Sequence, residues 1–202
     1  MICIIDYGMG NIGSLENMIL KVGGTSKVIS SAEEVNNADK LLLPGVGHFD
    51  NAVTRLKEMG LWDAIDNAVL NKKTPILCIC LGAQLVTEHS EEGEQKGFGW
   101  IPGRTIKFQM EGKLKVPHMG WNNLSIKKAH PLLKNVKDGS FYYFVHSYYC
   151  EAAKQEDVAA SCRYGDVEFC ASIWRDNIMA TQFHPEKSQD VGLSIFKNFA
   201  EL

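Results

Sequence analysis

The chain has 202 residues, 45% of them hydrophobic, and its 21 Lys and Arg against 24 Asp and Glu leave a formal net charge of -3. That length and apolar content suffice for a single domain over 1–202 with a substantial core, and the slight acidity without a long basic run excludes an electrostatic nucleic-acid binder. No apolar stretch approaches the roughly 20 residues of a membrane span, and the opening MICIIDYGMGN lacks the basic region and apolar core of a signal peptide, so a cytoplasmic protein without a membrane partner is expected.

From the N-terminus, ICIID is a short apolar strand that stops at Tyr7-Gly8, and Gly13 to Gly23 carries apolar residues at helical spacing. Lys27 to Ser30 reads as a strand, Ala32 to Asn37 as a short helix, and Lys40 to Leu43 as an apolar strand cut off at PGVG. Asp50 to Leu70 predicts one long helix or two broken at Gly60, because Val53, Leu56, Leu61, Ile65 and Val69 share a face. TPILCIC then forms a buried strand ending on Cys80, and Leu85 to His89 continues as the first turns of a helix. This β-α-β-α order predicts a three-layer α/β fold, a mainly parallel sheet flanked by helices, with its site at the strand ends.

The second half differs. TIKFQ, KLKVP, NNLSI, FYYFVHSYYC, VAASCRY and EFCASIW favour extended structure between Gly and Asp turns, so additional antiparallel strands are expected there. IMATQFHPEKS, Ile178 to Ser188, reads as a strand ending at His184-Pro185. Val191, Ile195 and Phe199, four residues apart, predict a closing amphipathic helix over Gln189 to Leu202.

The segment from Thr74 to Gln84 carries the clearest chemistry. A cysteine between a buried strand and the glycine turn at Gly82 occupies a sharp elbow that exposes its side chain near backbone N–H groups. Cys80 is therefore a candidate nucleophile, against the alternative of two small cysteines packed in a core strand. A cysteine nucleophile needs an imidazole to move its proton and a carboxylate to orient that imidazole. His184 and Glu186 are the candidates: two residues apart in extended backbone, they project to the same side, although a histidine that merely caps a strand end fits the same string. Cys3, Cys78, Cys80, Cys150, Cys162 and Cys170 lack the paired spacing of a zinc site, so no metal is expected and reduced thiols are. Cys78 and Cys80, as same-face neighbours about 6.5 to 7 Å apart, are too distant for an unstrained disulfide.

Taken together, CLGAQ around Cys80 and HPE at His184 to Glu186 resemble the class I, triad-type glutamine amidotransferases over the whole chain. More narrowly, DYGMGN at Asp6, LPGVG at Leu43, PHMGWN at Pro117, YFVHSYY at Tyr143 and QFHPEKS at Gln182 resemble the family of glutaminase subunits of imidazole glycerol phosphate synthase. The resemblance implies that Cys80 attacks the side-chain amide of glutamine, that His184 protonates the departing ammonia, and that water then hydrolyses the thioester. It implies an oxyanion hole from Gly45, Val46 and the amide of Leu81, and a glutamine pocket lined by Gly47, Gln84, His146, Ser147 and Tyr148. No cofactor is implied. A partner is: a separate (β/α)₈-barrel cyclase, joined as a heterodimer, which receives the ammonia to make imidazole glycerol phosphate and an aminoimidazole carboxamide ribotide for histidine. Asn11, Trp121, Tyr143 and Lys187 match interface positions.

One departure stands out. The family pattern has glycine two residues before the nucleophile, where this chain has Cys78. Divergence at that position leaves room for a paralogous glutaminase supplying ammonia for amidine formation on a surface sugar; a third reading, a non-catalytic or other cysteine-hydrolase member of the fold, is opposed by the intact Cys80, His184 and Glu186.

Overall fold

The computed structural model describes residues 1–110, 112 and 114–202. The first half runs β1 (Ile2–Ile5), α1 (Ile12–Lys21), β2 (Ser26–Ile29), α2 (Ala32–Asn36), β3 (Leu41–Gly45), α3 (Phe49–Glu58), α4 (Trp62–Leu70), β4 (Ile76–Cys80) and α5 (Leu81–Leu85). The second runs β5 (His89–Ser90), β6 (Gly103–Lys107), β7 (His118–Asn123), β8 (Ser125–Ile126), β9 (Phe141–His146), β10 (Tyr148–Ala152), β11 (Val158–Tyr164), β12 (Val167–Arg175), β13 (Ile178–Thr181) and α6 (Gln189–Glu201).

An eight-stranded sheet has the order β2-β1-β3-β4-β13-β12-β11-β8. Its first five strands are mutually parallel and the last three antiparallel. Strands covered on both faces have no solvent side to mark with polar residues. Accordingly β3 and β4 are buried along their whole length. One face packs on Leu15 and Ile19 of α1 and on Ile195, Phe196 and Phe199 of α6, the other on Val35 of α2, Val53 and Leu56 of α3, and Ile65 and Val69 of α4. The expected long helix is two, because Gly60 at φ +66° takes the left-handed conformation that ends α3.

Beside the large sheet, β10, β6 and β5 form a small one, and β7 pairs with β9 in an antiparallel ribbon. The ribbon register sets Met119 opposite Val145 and Trp121 opposite Tyr143. Met119, Trp121 and Phe141 are exposed, while His118, Tyr142, Phe144 and His146 turn inward.

Two expected elements differ. The helix after the elbow is α5, which begins at Leu81 and stops at Leu85, and residues 86–89 do not continue it. The backbone groups there turn to partners outside the helix: Leu85 O accepts from Phe98 N–H at 2.8 Å, Val86 O from Ile101 N–H at 3.0 Å, and Glu88 N–H donates to Gly103 O at 3.1 Å. KLKVP forms no strand over its described residues, Lys113 lying outside them. No helix among the described residues is long and apolar enough to cross a membrane.

Candidate active site

β4 ends on Cys80, whose φ of 55° and ψ of -103° are a strained combination for a side chain with a Cβ, costing on the order of 1–3 kcal/mol. The surroundings over-determine it. Gly45 at the end of β3 pairs with Cys80, and Gly82 lies against the Leu43 backbone so tightly that no Cβ fits. The positive φ also changes the side of the sheet. Cys78 packs with Leu43 and Ile76, whereas Cys80 packs with Leu77 and Ile79. The expectation that both cysteines share a face is therefore wrong, since it assumed regular strand geometry through Cys80. Cys78 is fully buried, and burial pushes its thiol far above the ordinary range. Only Cys80 of the two opens on the cleft.

β13 ends at Thr181, three residues before His184. What places His184 is a link to the ribbon: its N–H donates to Tyr143 O at 2.9 Å, while Ser188 Oγ donates to His184 O at 2.6 Å and accepts from Tyr143 N–H at 3.0 Å. Pro185–Lys187 then forms a 3₁₀ turn opened by proline, a residue preset for a first helical position. This turn, not an extended backbone, carries Glu186 back to His184, and Nδ1 meets Oε1 at 2.7 Å. Both side chains are at most 5% exposed. Burial disfavours a charged imidazole here, but Cys80 and Glu186 together outweigh it and raise the pKa of His184 above its ordinary value. With Nδ1 held by Glu186, Nε2 is the atom left to serve the cysteine.

The cleft over Cys80 has a volume of about 400 Å³. Val46, Gly47, Leu81, Gln84, His146, Ser147, Tyr148, His184 and Lys187 line it. Gly47 sits at φ +112°, and the strand leading to it is tied down by Tyr7, whose buried hydroxyl donates to Pro44 O at 2.9 Å. The sequence-predicted residues thus converge, apart from three. Asn11 caps α1, its Oδ1 accepting from Ser14 N–H. Trp121 and Tyr143 meet edge to face at 6.1 Å on the outer ribbon, and Lys187 Nζ lies 6.0 Å from the Tyr143 ring centre.

Three residues of the site were not singled out from sequence. Glu92 lines the cleft and accepts from Phe49 N–H at 2.8 Å; in the run EEGEQ it reads as surface charge. His118 lies behind His146. His146 Nδ1 donates to Tyr148 O at 2.8 Å, so its Nε2 accepts from His118 Nδ1 at 3.0 Å, and His118 Nε2 accepts from Asn122 Nδ2 at 3.2 Å. Burial holds both rings neutral, His118 at about 4 and His146 at about 3. Gln182, two residues before His184, is the third. Its signal was present in QFHPEKS, but position along a strand end does not say which atom it touches.

A strained cysteine that opens on the same cleft as a carboxylate-held histidine is the residue set that thiol-based acyl chemistry calls for. The family model described as glutamine amidotransferase class-I matches residues 3–202. An imidazole glycerol phosphate synthase subunit HisH 2 from Pseudomonas aeruginosa is 45% identical over 100% of both chains. A subunit HisH from Geobacter sulfurreducens is 49% identical over 100% of this chain and 98% of its own. Among solved structures, PurLQS from Thermotoga maritima superposes with a TM-score of 0.75 at 15% identity, covering 99% of this chain and 97% of that one, and a glutamine amidotransferase with 0.76 at 17%, covering 99% of each. This chain belongs to the class-I glutamine amidotransferase family and, within it, to the branch of the HisH subunits of imidazole glycerol phosphate synthase. It is a glutamine-hydrolysing enzyme subunit.

Proposed function

We infer that this chain is the glutaminase subunit of an imidazole glycerol phosphate synthase and supplies ammonia to histidine biosynthesis. The observation that carries the chemistry is the joint placement of strained Cys80, His184 and Glu186 at one strand-end cleft.

In the proposed mechanism the Cys80 thiolate attacks the side-chain amide carbon of glutamine. The carbonyl π pair moves to oxygen, and the backbone amides of Leu81 and of the Gly45-Val46 segment are the donors proposed to meet the oxyanion. Protonated His184 gives its Nε2 proton to the amide nitrogen as the C–N bond breaks, releasing ammonia and leaving a glutamyl thioester. Neutral His184 then takes a proton from water, which attacks the thioester and expels the Cys80 thiolate with glutamate. Glu186 keeps the imidazole in one tautomer throughout. The substrate's charged end lies against Gln84, the 146–148 backbone and the Glu92 carboxylate, which suits an α-ammonium.

Ammonia released into water largely protonates and loses its nucleophilicity, so a covered route to its acceptor is expected. The exposed ribbon face of Met119, Trp121 and Phe141, with Tyr143 beside Trp121 and Lys187 lining the cleft, suits the apolar core of a subunit interface. Its occupant in this reading is a (β/α)₈-barrel cyclase, bound one to one, and Asn11 lies at the margin of the contact. Because Tyr143 O accepts directly from His184 N–H and Tyr143 N–H reaches His184 O through Ser188 Oγ, docking on that face acts on the histidine through its backbone.

The test is reconstitution with the cyclase subunit. Glutamine hydrolysis is expected to rise on addition of the cyclase and its ribulosyl ligand, and to vanish in Cys80→Ala. Absence of hydrolysis under those conditions, or failure to restore growth to a histidine auxotroph lacking this subunit, overturns the reading.

A further inference from the structure

Gln182 is 2% exposed and sits between β13 and His184 without any role in the scheme above. Its Nε2 lies 3.8 Å from Cys80 Sγ, within hydrogen-bond reach of a sulfur acceptor. Its Oε1 accepts from Gln84 Nε2 at 3.3 Å, and Gln84 Nε2 also donates to Tyr148 O at 3.0 Å. That second pair fixes the amide orientation. Tyr148 O can only accept, so Gln84 presents its NH₂ group inward, and Gln182 must answer with oxygen and not nitrogen. Its own NH₂ is thereby turned to the sulfur. The opposite orientation sets two donors against each other at Gln84 and a lone-pair oxygen against the sulfur.

We propose that Gln182 is a positioning residue for the reaction, donating a hydrogen bond that holds the Cys80 thiolate in its attacking orientation, with Gln84 fixing the donor. The inference rests on Cys80 being the nucleophile. A neutral amide stabilises the charged sulfur without competing for the proton that His184 must deliver. The backbone keeps it in place: Gln182 N–H donates to Ala171 O at 2.9 Å, continuing the pairing beyond the end of β13. Gln84, which borders the glutamine cleft, thus connects the pocket for the substrate's charged end to the sulfur through one intervening side chain.

The probe is iodoacetamide alkylation of Cys80 in the full chain, followed against pH by mass spectrometry of the Cys80 peptide, beside glutaminase kinetics of the reconstituted complex. Gln182→Met keeps the volume and removes the donor. The alkylation midpoint is expected to rise by about one pH unit, and kcat to fall about tenfold with KM within threefold. Gln182→Glu, which places a carboxylate on the sulfur, raises the midpoint further. The other titratable groups around the sulfur, His184, Glu186, Tyr7, Cys150, Glu92 and Lys187, are common to all the proteins compared. An unchanged midpoint in the Met variant overturns the proposal even if kcat falls, since a packing residue lowers activity without moving that titration. In the unaltered chain, the side-chain amide NMR signals of Gln182 are expected to move over the pH range in which Cys80 becomes alkylatable; signals that stay fixed overturn it whether or not the variants fold. Alkylation reads the sulfur without turnover, so loss of the glutaminase reading would show separately, as a Cys80→Ala protein that still hydrolyses glutamine.

Discussion

Gly82 rests against the carbonyl of Leu43, and a side-chain carbon at that position would fall inside the Leu43 backbone. This contact lets α5 start directly after Cys80 and keeps the nucleophile elbow level with the end of β3. Backbone on both sides of a contact cannot be relieved by a rotamer change. Gly82→Ala is expected to lower stability by roughly 1–3 kcal/mol and glutaminase activity more than a hundredfold. Thermal unfolding and a glutamate-release assay read the two effects, and an Ala variant with ordinary activity refutes the close-approach role.

The two cysteines of β4 separate cleanly by environment. Cys78 is sealed between Leu43 and Ala180, its register partners, and Cys80 opens on the cleft. Cys78→Ala removes one buried sulfur, costs about 1 kcal/mol and keeps activity within a few fold. Cys80→Ala abolishes glutamine hydrolysis and labelling by a reactive glutamine analogue. A Cys78→Ala protein as inactive as Cys80→Ala would falsify the assignment.

Acid should destabilise the fold through its buried histidines. His118, His130 and His146 are held by burial at about 4, 3 and 3, below the ordinary 6.5. The unfolded chain therefore gains protons first, and stability present above pH 6.5 is lost as the pH falls toward those values. His184, raised in the fold, is protonated in both states below pH 6.5 and adds nothing in that window. Each pH unit below 6.5 should cost about 1.4 kcal/mol per histidine. His118→Asn should flatten the dependence of unfolding free energy between pH 6.5 and 5 by about one proton; denaturant titrations at several pH values measure it, and an unaltered slope counts against a neutral His118.

The ribbon face supplies a further expectation. Trp121 is 45% exposed and Met119 62%, so truncating either removes little packing within the chain. Trp121→Ala is expected to leave the unfolding midpoint within a degree or two but to weaken cyclase binding by on the order of 2 kcal/mol, the size of an aromatic hot spot. Titration of labelled cyclase would show it. Unchanged affinity would move the interface elsewhere.

Much of this protein was legible locally. Buried parallel strands need apolar runs, so β1, β3 and β4 announce themselves, and Gly60 marks the break between α3 and α4 because few other residues take its φ. The glycine after Cys80 and the closeness of His184 to Glu186 in sequence likewise pointed to their site. Other features required the tertiary structure, because they depend on atoms that meet across the chain. Residues 86–89 leave the helical path where the Leu85 and Val86 carbonyls accept from amides more than ten residues away. Positive φ at Cys80 moves its sulfur to the face opposite Cys78. His118 reaches His146, Glu92 reaches the cleft, and Gln182 reaches the sulfur only when β7, β9, β13 and the segment after β5 are assembled. Sequence by itself determined which residues could react, since that is a property of residue type and local turn. Folding decided which atoms face one another, since hydrogen-bond direction and burial are set by neighbours distant in the chain.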